Sequence, residues 1–66
     1  MTPAQFAATA QLAGIRSPMA LMASRWVLVD DMAPSVAADT ADISRQQLSN
    51  TLSRLRRVLA LMAVAA

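Results

Sequence analysis

The chain contains no cysteine, histidine, glutamate, lysine or tyrosine. Without cysteine there is no disulfide, and without cysteine or histidine the usual zinc ligand sets are gone. The only carboxylates are Asp30, Asp31, Asp39 and Asp42, and their spacing is not that of a calcium loop. The residues that normally serve as general acids, bases and nucleophiles are almost all missing, so the sequence reads as a non-enzyme with no catalytic residue, no metal and no cofactor. Glycine is confined to Gly14, and the large aromatics to Phe6 and Trp26. The nine apolar residues 58–66 fall far short of the roughly 20 needed to span a bilayer. The start of the chain lacks the basic and continuous apolar regions of a secretory signal, so the expected location is cytoplasmic, with no membrane partner.

What is present is helix-forming. Hydrophobic residues make up 56% of the 66 positions, mostly Ala, Leu, Val and Met, and the remainder is rich in Gln and Arg. An all-α fold follows: one small domain of four helices, with a fifth segment possible, spanning residues 1–66. A chain of this size buries only about 60% of its unfolded surface. With disulfides and metals excluded, a second subunit is the expected source of extra stability. The formal net charge is +2, every cation being an arginine. Arg45, Arg54, Arg56 and Arg57 lie in the last third, beyond all four aspartates, and this separation fits either a nucleic-acid footprint or a solvated helix face.

Punctuation sets the helix boundaries. Thr2-Pro3 reads as an N-cap and first helical residue, with an apolar stripe of Phe6, Ala7 and Ala10 and a left-handed stop at Gly14. Ser17-Pro18 repeats the start signal for a second helix to about residue 29, whose Met19, Met22, Trp26 and Val29 are spaced to face the core. Asp30-Asp31 supplies a turn. A third helix starts near Ala33-Pro34-Ser35 and ends at Ala41. Ser44 then caps a fourth, with Gln47 placed to complete a capping box. Along this last helix Leu48, Leu52, Leu55, Leu59, Met62 and Ala66 form an apolar seam at alternating steps of four and three. Up to Leu55 the other side is polar. Beyond Arg57, Val58, Leu61 and Ala65 add a second apolar stripe, more than one small chain can bury, and Val58, Leu61, Met62 and Ala65 are the expected dimer contact.

Residues 37–52 have the pattern of a helix-turn-helix. Ala38 is small where the two helices approach, Ala41, Ile43, Leu48 and Leu52 are apolar around the turn, and Asp42 stands where a left-handed residue is needed. The outward face of the following helix carries Arg45, Gln46, Gln47, Ser49, Asn50 and, a turn later, Arg54. Arg suits guanine, and Gln or Asn suits adenine, in the major groove. Ser44 and the free amides at the helix start suit a phosphate, and Arg56 and Arg57 suit backbone neutralisation. The expected partner is double-stranded DNA. The alternative is a small helical interaction module, of antitoxin or adaptor type, without sequence-specific DNA binding. No small-molecule ligand is expected in so small a core.

Thr2 to Gln5-Phe6, Arg25 with Val27-Leu28-Val29-Asp30, and Ile43-Ser44-Arg45 through Leu48-Ser49-Asn50 to Arg54 together resemble the TrfB/KorA repressors of conjugative plasmids. The resemblance runs through nearly all of residues 2–58. It implies a homodimeric repressor that binds a palindromic operator and controls plasmid maintenance or conjugative transfer genes in a bacterial cytoplasm, beside plasmid or nucleoid. Carried over by position, it makes Ser44, Arg45, Gln47, Asn50 and Arg54 the DNA contacts. The family has Thr, Gln and a turn Gly where this chain has Ser44, Asn50 and Asp42. The shorter Asn50 leaves the operator sequence free to differ. The resemblance implies a short member, in which residues 58–66 are expected to take the place of the C-terminal dimerisation domain of longer members.

Overall fold

A computed structural model describes residues 1–65, with Ala65 described in its backbone only; Ala66, expected to end the apolar seam, and the Ala65 side chain, expected at the dimer contact, lie outside the described residues. The described residues form an all-α domain of four helices: α1 (Pro3–Ala13), α2 (Pro18–Leu28), α3 (Pro34–Ala41) and α4 (Arg45–Ala65). No helix among them is long and apolar enough to cross a membrane.

Each boundary has a local cause. Proline opens α1, α2 and α3, where its fixed φ suits a first turn and its missing N–H costs nothing. The Thr2 and Ser17 hydroxyls accept from the amides of Gln5 and Ala20. At α1 the Gln5 side chain returns the bond to the Thr2 amide, making a complete capping box that satisfies two otherwise orphaned donors. The box expected at Ser44 is only half formed. The Ser44 hydroxyl accepts from the Gln47 amide at 3.0 Å, but the Gln47 side chain turns away and donates to Ser17 at 3.5 Å. Gly14 ends α1 at φ +66°, as its lack of a Cβ allows.

Two apolar clusters hold the helices. In the first, Ala23 of α2 meets Ala37, Ala38 and Ala41 of α3 and Leu48 and Leu52 of α4. Trp26, Val27, Leu28, Met32 and Ile43 close its margin. In the second, Phe6 and Ala13 of α1 meet Leu55, bordered by Leu21, Val29 and Val58. The helix α1 runs along the second half of α4 in the opposite sense: Arg54 reaches the Ala13 carbonyl, and Met62 reaches Thr9 a turn further back.

The inner face of α2 differs from the expected stripe of Met19, Met22, Trp26 and Val29. Met19 and Met22 are 41% and 40% exposed, while Ala20, Ala23 and Ser24 are buried. Small side chains let the α2 and α3 backbones approach closely, and the long methionines are displaced to the rim; Trp26 and Val29 are half-buried. The buried Ser24 hydroxyl satisfies itself on the Ala20 carbonyl at 2.7 Å. A similar shift occurs in α1. Ala7 of the expected Phe6, Ala7, Ala10 stripe is exposed, and the inner residues are Phe6, Thr9 and Ala13, with Thr9 donating to Gln5 at 2.6 Å.

Candidate nucleic-acid interface

The segment from α3 into α4 is built for a sharp turn. Asp42 adopts φ +57°, ψ +43°, and its amide donates to the Ala38 and Asp39 carbonyls. The Ile43 amide donates to Ala38 at 3.0 Å, so three residues, 42–44, suffice to stop one helix and start the next. A left-handed L-residue is strained, but aspartate tolerates this region better than most. Asp42 therefore takes the conformation that a glycine would give more cheaply. Ala38 is fully buried beneath the turn, Ala41 is buried and Ile43 half-buried, so small and apolar residues stand where the packing needs them.

The first half of α4 splits cleanly into two faces. Leu48, Leu52 and Leu55 are 1%, 4% and 0% exposed, and they fix the rotation of the helix. That rotation leaves Arg45, Gln46, Gln47, Ser49, Asn50, Ser53, Arg54, Arg56 and Arg57 in solvent. Ser44, at the helix start, is also exposed. All eight residues expected to touch DNA, namely Ser44, Arg45, Gln46, Gln47, Ser49, Asn50, Arg54 and Arg57, are thus on the surface of one helical end.

Besides Ser44, whose hydroxyl caps the Gln47 amide, four of them are already engaged. Gln46 donates to the Asn50 side-chain carbonyl at 2.9 Å, which holds the two amides together on the outward face and presents the Asn50 amide group as a donor. Gln47 leans to Ser17. Arg54 donates to the Ala13 carbonyl at 2.7 Å, placing a cation on the last turn of α1 where the helix dipole favours it. This anchoring role was hidden in the sequence, because it joins residues 41 positions apart.

The second half of α4 differs. The helix continues unbroken through Arg56 and Arg57 to Ala65. Val58 borders the Phe6–Leu55 cluster, and Met62 lies 3.8 Å from the Thr9 hydroxyl, so these two expected dimer residues already pack partly within the chain. Leu61 is 64% exposed, as expected for a free apolar face. Val64, not singled out from the sequence, is 86% exposed.

Although the core is small, the surface carries clefts. One of about 300 Å³ runs between the start of α3 and α4, lined by Pro34, Ser35, Arg45, Leu48, Ser49, Leu52 and Arg56. A second, of about 500 Å³, lies between the α1–α2 link and α4. Comparison with protein-family models, with curated proteins and with solved structures gives no match to this chain.

Proposed function

We propose that the protein is a sequence-specific DNA-binding repressor whose α3–turn–α4 segment acts as a helix-turn-helix, with α4 as the recognition helix. The observation that carries this reading is the division of α4: a leucine face sunk into the domain and an opposite face of arginines, amides and hydroxyls, set at a sharp left-handed turn. An isolated solvated helix needs no such turn, whereas a helix that enters the major groove by its first turns must stand clear of the domain behind it. The exposed donors and acceptors are those that discriminate base edges: Gln46 and Asn50 for adenine, arginine for guanine. Ser44 and Arg57 suit the flanking phosphates.

The exposed Leu61 and Val64 support a homodimer through the end of α4, with Val58 and Met62 at its margin. A twofold dimer would read a palindromic operator. The resemblance to the TrfB/KorA repressors adds the setting: genes of plasmid maintenance or conjugative transfer in a bacterial cytoplasm. Selection of bound duplexes from a random pool tests the reading. Enrichment of an inverted repeat is expected, whereas binding of all duplexes alike would favour the interaction-module alternative.

A further inference from the structure

The polar side of α4 is three stripes rather than one. Gln46, Asn50, Ser53 and Arg57 recur at steps of four, three and four and form the outward ridge. On one flank Arg45, Ser49 and Arg56 line the cleft whose far wall is Pro34 and Ser35 of α3. On the other flank Gln47, Thr51 and Arg54 line the cleft whose far wall is Arg16 and Ser17 of the α1–α2 link. Each cleft therefore has two arginines, and neither is lined by an aspartate. The four aspartates lie between α2 and α3 or at the end of α3.

The geometry points to a pair of phosphodiester sites, one on each side of the recognition helix, which hold the two backbones that wall the major groove. The inference rests on the DNA reading above and extends it to Arg16, a residue outside the recognition helix and its turn. A helix about 10–12 Å across fills a major groove about 12 Å wide, so phosphates come to lie along both its flanks. A cation on one flank alone would pull the helix against one wall. Paired clefts centre it and leave the ridge of Gln46, Asn50 and Ser53 over the base edges. Arginine is the fitting residue, because its planar fork meets two phosphate oxygens at once. In the second cleft, Arg54 gives one donor to Ala13 and Gln47 leans to Ser17, so the wall is pre-arranged before any ligand arrives. Arg45 and Arg54, read above as guanine contacts, are then reassigned to the backbone, and base discrimination falls to the ridge amides.

Arg16 and Arg56 are exposed, and their removal leaves the packed core untouched. Arg25, which lines neither cleft and stands beside Phe6 and Leu21, is the matched charge control. The test measures binding of the full chain to its selected duplex and to an unrelated duplex by fluorescence anisotropy, between about 50 and 200 mM salt. Arg16→Ala and Arg56→Ala should each weaken both duplexes by the same factor, roughly eightfold near 0.1 M salt, and flatten the slope of log affinity against log salt by about 0.9. Arg25→Ala should leave the slope unaltered. A wild-type slope in Arg16→Ala, or an equal loss in Arg25→Ala, would overturn the paired clefts. A wild-type chain that binds neither duplex would instead overturn the DNA reading beneath them. Inorganic phosphate, compared with chloride at equal ionic strength, separates the two sources of the anion. No extra displacement of duplex is expected, and strong displacement at low-millimolar phosphate would assign the clefts to a free anion and contradict the proposal.

Discussion

Within α4 the same apolar seam is treated in two ways. Over the first three turns Leu48, Leu52 and Leu55 vanish into the domain; over the last two, Leu59 and Met62 are only half-buried while Leu61 and Val64 stand in solvent. The difference follows from what each half has to lean on. In the first half Leu48 and Leu52 lie against the alanines of α2 and α3, and Leu55 closes onto Phe6 and Ala13 of α1. The second half has α1 for support, capped at Ala13 by Arg54 and touching Met62 through Thr9. One helix of eleven residues covers one side of the tail and leaves the other. A helix that is amphipathic at one end and apolar at the other thus combines a rigidly oriented polar face with an unfilled apolar one.

The largest effect on this contrast should come from the buried half. Leu48→Ala removes a fully buried side chain beneath the turn and should cost about 2–5 kcal/mol. That is a large share of the roughly 3–10 kcal/mol available to a chain of this length, so a urea titration followed by circular dichroism should find its midpoint far below that of the wild type. Leu61→Ala, by the same measurement on dilute protein, should change stability by no more than about 0.5 kcal/mol. Similar losses from the two would erase the distinction between the halves.

The next effect belongs to the exposed half. Leu61→Asp should convert a dimer into a monomer in sedimentation equilibrium and leave weak binding to a half-site. An unchanged molecular mass would sink the tail as the dimer contact. Asn50→Ala should leave fold and mass alone and remove about 1–3 kcal/mol of preference for the selected duplex over an unrelated one. If both duplexes weakened together, Asn50 would be a backbone contact and the ridge would lose its reading role. A modest change is expected from Ser44→Ala, which deletes the cap on the Gln47 amide and should lower stability by roughly 1 kcal/mol. Because Gln47 does not close the box, a loss much above 2 kcal/mol would mean that Ser44 does more than cap.

The sequence made the four helices legible because their starts and stops are chemical: three prolines, three capping hydroxyls, Gly14, and Asp42 in a left-handed turn. The leucine seam of α4 was equally plain, since only a buried face repeats leucine at such steps. The inner face of α2 was not. Periodicity pointed to the larger side chains, Met19 and Met22, whereas the closest packing selected alanines, and the size of the gap between two helices is not written in either one alone. The exposed face of α4 followed from its seam, but the ties of Gln47 and Arg54 and the place of Arg16 depend on how α1 and α2 fold back across it. Those contacts bridge 30 residues from Ser17 to Gln47 and 41 from Ala13 to Arg54, beyond the reach of local pattern.

The central claim is that one helix both reads DNA and sets the twofold. Selection of duplexes from a random pool by the wild-type chain addresses it most directly. An inverted repeat is expected, its half-sites about one helical turn, 34–36 Å, or a multiple of that apart. Enrichment of single, unpaired half-sites, or no enrichment at all, would contradict it.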